Sequence, residues 1–354
     1  MPSLAEYRRK RDFSVTPEPE PEPNDAPSAP ETAGTGKPRF VVQEHHARRL
    51  HWDFRLEHDG VLVPWAVPKG LPPDPRVNHL AVHTEDHPLS YFDFEGEIPK
   101  GNYGAGVVEL WDQGTYHLEK WRPGEIIVVL HGRQVQGRYI LFQTNEDHWM
   151  VHRMDPPQDP TREPMPYRIE PMWPVEGELP PPAHDGDYGY EIAWNGLRTV
   201  VFGEGGSVRV QDESSTSRWP ELVRLGRALG SHEAILDGEL VALGEDGQPH
   251  RERLDRRLAG AAPESVPLTY MVYDLLYLDG HPLLDEPYTE RRNALAALEL
   301  SGFHWQAPAH HVGDGAALLD LARQRGLAGI VAKRLDSPYR PGQQSPDWIG
   351  VASG

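Results

Sequence analysis

Apolar and polar residues alternate strictly along LHWDFRLEH. Leu50, Trp52, Phe54 and Leu56 share one parity, and His51, Asp53, Arg55 and Glu57 the other. That period of two predicts a strand with one buried face. Comparable runs follow in RFVVQEH, GVLVPWAV, HLAVHTED, VVELWDQGTYHLEKW, EIIVVLHG, GRYILFQT and HWMVHR, with turn residues at HDG, DQG and HGRQVQG between them. Many short strands and no long helix predict a small β-barrel or sandwich over residues 39–154. EIPKGNYGAG, dense in glycine, reads as a tight loop with close backbone approach. The pattern changes further on. ELVRLGRALG and GAALLDLARQRG have helical spacing, whereas AILDGELVAL, LTYMVYDLLYLDG and LAGIVAKRL read as buried strands, so residues 188–354 are expected to be α+β.

Two segments interrupt these units. Residues 1–38 combine a basic arm, YRRKRDF, with the Pro- and Glu-rich TPEPEPEPNDAPSAPETAGTGKP, expected to be an extended linker. Residues 155–187, with MDPPQDPTREPMPY and GELPPPAHDGD, read as a second, semi-rigid linker.

Composition narrows the chemistry. The 354 residues contain no cysteine, which excludes disulfides, thiolate metal sites and cysteine nucleophiles; any metal must sit on His, Asp or Glu. No apolar run reaches the length of a membrane span, and MPSLAEYRRKRDF lacks the pattern of a secretory leader. A cytoplasmic, nucleoid-associated protein is the expectation. The net charge of −19 argues against general adhesion to nucleic acid and for a local basic grip.

Against that background EHHARRLHWDFRLE stands out, with three histidines, three arginines and an aspartate between Glu44 and Glu57. His51 and Asp53 follow each other on one strand face about 7 Å apart, close enough to converge on one ion. His45 would arrive from the preceding turn, and Arg55 would offer an anion-binding fork one step beyond. A solvated, mixed-charge strand face explains the same pattern, and the residues alone leave both readings open. His46 and His58 read as surface residues, His83 as either site-lining or structural, Lys69 as a turn lysine and Tyr91 as a core aromatic.

FVVQEHHARRLHWDFRLE, WAVPKGL, EDHPLSYFDFEGEIPKGNYGAG and ELWDQGTY resemble the 3′-phosphoesterase module of bacterial DNA ligase D, an enzyme of non-homologous end joining. The resemblance spans the whole first unit and includes the arm. It implies a Mn²⁺-dependent phosphoesterase that removes a 3′-ribonucleoside and then the 3′-phosphate from DNA or RNA–DNA ends. It places the metal on His45, His51 and Asp53, and Arg55, His87, Lys69 and Tyr91 around the scissile phosphate. Arg11, Asp12 and Glu18 of the arm match positions tied to the ribonucleoside step. His87 is expected to titrate near neutrality and protonate the leaving oxygen. His79 stands where the family often has arginine, a departure that bears on phosphate binding and not on the metal site.

The second unit resembles the adenylating domain of ATP-dependent DNA ligases, an ATP-grasp-like nucleotidyltransferase fold, through YEIAWNGLRTVV, ILDGELVAL, VYDLLYLDG, GIVAKRLDSPYRPG and DWIGV. Ligases of that family carry a lysine nucleophile followed two residues later by aspartate and then glycine. Here the stretch reads Ala193, Trp194, Asn195, Gly196. A methyl group forms no phosphoramide bond. Ala328 replaces a metal-holding glutamate, and Gly350 and Ala352 replace phosphate-contacting lysines. Arg198, Glu239 and Lys333 persist. The matching stretches end at Val351, so the reading expects no OB-fold. It also expects a ligase-like scaffold without ligase activity; nucleotide binding without transfer, including ATP, is the alternative for this unit. A non-catalytic repair scaffold and an active ligase are the competing readings for the whole chain. End-joining proteins (Ku-like, a polymerase, a ligase) are the expected partners.

Overall fold

A computed structural model describes residues 4–21, 37–211 and 218–354, and the chain forms two compact units, Met1–Pro160 and Thr161–Gly354. The greater part of the Pro- and Glu-rich stretch expected as the first linker lies outside the described residues.

The first unit is a closed antiparallel barrel. Its strands are β1 (Arg39–His46), β2 (Leu50–His58), β3 (Val61–Val67), β4 (Asn78–His83), β5 (Gly96–Ile98), β6 (Gly106–Arg122), β7 (Glu125–His131), β8 (Gln136–Asn145) and β9 (His148–Arg153). The sheet runs β1-β2-β3-β4-β9-β8-β7-β6, and β6 returns to pair with β1, so eight strands close the ring while β5 adds to the outer part of β6. Closure removes the exposed edges a flat sheet would present. The even-numbered residues Phe40, Val42, Leu50, Trp52, Phe54 and Leu56 fill the barrel with Trp65, Tyr116, Val128, Leu141 and Val151.

The opposite parity is covered as well, so β2 is buried on both faces rather than one. A short helix, α1 (Leu4–Lys10), and a 3₁₀ turn at Leu89–Asp93 lie over the outside of this wall. Tyr7, Val41, Leu62, Tyr91, Phe92, Phe94, Ile98 and Val108 form a second apolar cluster there. The basic arm is therefore docked on the barrel. Tyr7 is fully buried and its hydroxyl donates to the Pro19 carbonyl at 2.9 Å.

The second unit is α+β, with two sheets. One runs β10 (Trp173–Glu176), β20 (Gln344–Ala352), β19 (Gly329–Arg334), β11 (Tyr188–Ala193), β18 (His311–Val312). The other runs β13 (Ser207–Val210), β12 (Leu197–Glu204), β14 (Ala234–Val241), β15 (Thr269–Leu278), β16 (His281–Pro282), with β17 (Trp305–Gln306) beside β15. Helices α2 (Val223–Leu229), α3 (Arg251–Leu258), α4 (Tyr288–Ala297) and α5 (Gly315–Gln324) complete it. Arg291 of α4 grips Asp274 of β15 through Nε and an Nη at 2.8 and 2.9 Å, with both side chains fully buried.

Residues 161–187, expected as linker, belong to this unit. Ile169 and Met172 are buried, Arg162 donates to the Asp279 carbonyl at 2.9 Å, and β10 pairs in parallel with β20. Proline spacing does favour extended backbone, but the apolar residues between the prolines anchor it to a sheet edge. Among the described residues no helix is long and apolar enough to cross a membrane.

Candidate metal centre

His45, His51 and Asp53 come together with their ligand atoms within 4.8 Å of one another. Register explains the meeting. β1 and β2 form a hairpin in which His45 lies directly opposite His51 and Gln43 opposite Asp53. His45 thus sits in the strand rather than in the turn after it. All three share the parity that faces away from the barrel interior. The centre lies on the outer wall beneath the arm, not at a barrel mouth, because the other parity is needed to fill the core.

Each histidine is fixed by its outer nitrogen. His45 Nε2–H donates to the Gly104 carbonyl at 2.9 Å, and His51 Nδ1–H to the Arg49 carbonyl at 3.0 Å. A carbonyl only accepts, so each ring carries a proton on that outer side and turns its other nitrogen toward Asp53. Burial would lower the His51 pKa, but Asp53 and the Arg49 carbonyl raise it, so a bound ion would take the place of an inner proton there. His45 Nδ1 lies 3.4 Å from Asp53 Oδ2 and His51 Nε2 3.5 Å from Asp53 Oδ1. Two imidazole lone pairs and a carboxylate converging in this way suit a borderline or hard divalent cation, and the carbonyl partners are the outer contacts that metal-binding histidines use. Burial alone would push the Asp53 carboxyl up, but Arg55, His51 and His45 together hold it well below the usual carboxylate range.

Arg55 lies behind the aspartate. One Nη donates to Asp53 Oδ2 at 3.1 Å, the other to the Gln43 side-chain carbonyl, and the guanidinium sits 4.7 Å from the Tyr91 ring centre. Its Nε is buried with no hydrogen-bond partner among the described residues, a donor that an anionic oxygen would satisfy. Gln43 is itself held by the Phe94 carbonyl at 2.7 Å, and the bulge between β1 and β6 falls between Val42 and Gln43.

The arm completes the surroundings. Arg11, whose side chain is 5% exposed, donates to Glu18 and Glu85, each at 2.8 Å, and approaches His87 Nε2 at 3.3 Å. Tyr91 donates to Glu18 at 3.2 Å. Burial would raise the Glu85 carboxyl, yet hydrogen bonds from Arg11 and Lys10 hold it below its ordinary value. His87 differs from expectation. Its Nδ1–H donates to the Glu85 carbonyl at 2.8 Å, and burial together with Arg55 and Arg11 drives its pKa well below the ordinary histidine value. It is a neutral acceptor toward Arg11, not a group titrating near neutrality.

Other candidates lie apart. Asp12 is exposed and caps its own turn through Ser14. Lys69 occupies the exposed turn after β3, alongside the β2 end that carries His51, since Trp52 pairs with Val67. His79 is buried and donates to the Gly70 carbonyl of that turn at 2.8 Å. His83 packs between Trp65 and Trp149, and His58 stacks on Trp121 with ring centres 3.7 Å apart. Gln43, Glu85 and the Gly104 carbonyl went unrecognised in the sequence. A backbone acceptor carries no residue signal beyond glycine density, and Glu85 shows its role only once the arm is docked.

In the second unit, Ala193 closes β11 opposite Gly329, and Asn195 takes a left-handed φ of +56° in the following turn. The persisting polar residues are engaged internally. Arg198 grips Asp237 at 2.8 and 2.5 Å, Tyr273 donates to Glu239, and buried Lys333 pairs with Glu191 at 2.6 Å.

Comparison with known proteins agrees with this division. The family model for the DNA ligase D 3′-phosphoesterase domain matches residues 43–143, and that for the ATP-dependent DNA ligase domain matches residues 182–351. The multifunctional non-homologous end joining DNA repair protein LigD of Mycobacterium tuberculosis is 42% identical over 354 residues, covering 98% of this chain and 44% of the relative. LigD of Pseudomonas aeruginosa is 37% identical, covering 99% of this chain and 47% of the relative. The chain thus spans less than half the length of these relatives. A solved mycobacterial DNA ligase D complexed with ATP and MES matches 52% of this chain and 60% of its own, at 32% identity and a TM-score of 0.46. The chain belongs to the DNA ligase D family, carrying its 3′-phosphoesterase domain followed by an ATP-dependent DNA ligase domain.

Proposed function

We propose that the first unit is a Mn²⁺-dependent phosphoesterase that clears 3′-phosphates and 3′-ribonucleosides from DNA or RNA–DNA ends during bacterial end joining. The observation that carries this reading is the pair of histidines whose outer nitrogens are tied to backbone carbonyls while their inner nitrogens face Asp53. His45, His51 and Asp53 would hold the ion, which when bound supplies charge neutralisation for a phosphate and a more acidic water. Arg55 keeps Asp53 ionised and offers its unpaired Nε to a phosphate oxygen. His87 and Glu18 hold Arg11 over the same wall, where its charge orients an incoming phosphate. Tyr7 and Tyr91 exclude water from beneath the arm. Lys69, beside the hairpin end, adds positive charge in an otherwise acidic chain, and Asp12 shapes the arm's turn.

We propose further that the second unit transfers no adenylate. Its strand end offers a methyl group at Ala193, and Arg198, Glu239 and Lys333 are taken up by partners within the unit. That engagement favours a scaffold for end-joining partners, such as a Ku-like protein, a polymerase or a ligase, over nucleotide binding. Purified full chain with Mn²⁺ should release inorganic phosphate from a 3′-phosphorylated primer–template, and His51→Ala or Asp53→Ala should abolish release. Absence of turnover by the wild type in Mn²⁺ would leave a non-catalytic scaffold as the reading. Incubation with labelled ATP should give no protein adduct; an adduct would establish a ligase.

A further inference from the structure

Tyr103 is the one exposed aromatic residue among the described residues of the first unit, at 47%. Every other Trp, Phe or Tyr described there is at least half-buried. An outward ring means little unless the chain holds it, and here it does. Gly101 and Gly104 flank the loop with φ of +96° and +73°. Asn102 N–H donates to the Pro99 carbonyl and Ala105 N–H to the Asn102 carbonyl, both at 3.2 Å. From the arm, Lys10 Nζ lies 4.7 Å from the ring centre and donates to the hydroxyl at 3.5 Å, while the Arg11 guanidinium is 5.4 Å from the ring centre. Gly104, the next residue, supplies the carbonyl that orients His45. Arg11 on its other side reaches His87. A fixed, partly open aromatic ring therefore stands one residue from the backbone that builds the metal centre, with two carboxylate-paired cations of the arm over it.

We propose that Tyr103 is a specificity-determining residue, the platform on which the base of the 3′-terminal nucleoside stacks while its phosphate reaches the centre. This rests on the phosphoesterase reading. Stacking is tolerant of sequence because every base has a π-face, which fits an enzyme that meets ends of any sequence. Lys10, whose side chain is 27% exposed, stands at the ring while bridging Glu6 and Glu85, and Arg11 is buried between Glu18 and Glu85, so the arm holds the ring rather than gripping the strand. The platform gives the site a means to prefer a nucleic-acid end over a phosphomonoester without a base.

The test uses the full chain with Mn²⁺ and two primer–templates, one with an ordinary 3′-phosphorylated terminal nucleoside and one whose terminal sugar is abasic. Tyr103→Ala should lower kcat/KM on the ordinary end about tenfold, mostly through KM. Tyr103→Phe should stay within about twofold of wild type, since it keeps the ring. On the abasic end, wild type should fall to the level of Tyr103→Ala, and the substitution should cost nothing more. Tyr103→Leu, which keeps apolar bulk without a π-face, should behave as Tyr103→Ala does. Equal losses on both ends would overturn the proposal and reduce the ring to a support for the arm, as would full activity of Tyr103→Ala on the ordinary end. Wild-type inactivity on both ends would overturn the phosphoesterase reading and this proposal with it.

Discussion

Gly104→Ala probes how the loop sets the orientation of His45. Gly104 holds φ +73°, and its carbonyl takes the His45 Nε2–H bond at 2.9 Å. A Cβ there would lie 3.8 Å from Ile98 Cδ1 and 3.9 Å from His45 Cε1, ordinary contact distances. The substitution therefore adds no clash, and its cost is the left-handed backbone, about 1–2 kcal/mol. The loop can keep its turn and lose that much stability. It can instead flip the peptide, which leaves His45 without its acceptor; such outer partners are worth about 10–100-fold in metal affinity, or roughly 1.4–2.8 kcal/mol. The two costs are comparable, so we expect both to register. Melting of the full chain, read on the transition that moves with added Mn²⁺, reports the first, and a Mn²⁺ titration reports the second. Gly101→Ala is the control: Gly101 holds φ +96° with nothing within 4 Å of its Cβ, so stability should fall while Mn²⁺ affinity stays. Wild-type melting and wild-type Mn²⁺ affinity in Gly104→Ala would refute the orienting role of the loop.

Three further outcomes are expected. Burial, reinforced by Glu85, pushes the Asp86 carboxyl up to about 6 from an ordinary 3.8. Its ionisation therefore opposes folding, with the penalty absent below about pH 4 and complete above about pH 6. Asp86→Asn should stabilise the first unit by about 1–2 kcal/mol at pH 7.5, after discounting for its partial exposure, and by much less at pH 4.5, as read by urea denaturation. In the second unit, Asp274→Ala leaves Arg291 charged in the core with the Glu286 and Ser337 carbonyls but no counter-ion, so calorimetry should show a loss of about 3–5 kcal/mol. Ala193→Lys should still give no adduct with labelled ATP, because the amine alone does not free Arg198, Glu239 and Lys333 from their partners.

Strand alternation made much of the first unit legible, because a period of two survives wherever one face packs against a core. LHWDFRLEH became β2; in the second unit AILDGELVAL and LTYMVYDLLYLDG, legible as unbroken apolar runs rather than by alternation, became the central strands β14 and β15. Closure of the barrel through β1 and β6 did not show, since it joins residues some seventy positions apart through backbone bonds that leave no periodic mark. The sequence alone brings His45 in from a turn, because its strand partner His51 is known only from the hairpin register. Composition hid the rest. Prolines mark residues 155–187 as a linker, yet Ile169 and Met172 are buried anchors, and the charges of the basic arm give no sign that its Tyr7 is buried against the barrel. The chemistry of His87 was also out of reach, because its neutrality follows first from burial and then from Arg55 and Arg11, which the fold brings in from other segments.

The most direct test is a Mn²⁺ titration of the full chain, followed by loss of the free-ion paramagnetic signal. We expect the wild type to take up one ion at the hairpin, and His45→Ala, His51→Ala and Asp53→Ala each to lose that uptake. Uptake unchanged in all three variants, or none by the wild type, would contradict a metal centre at this place.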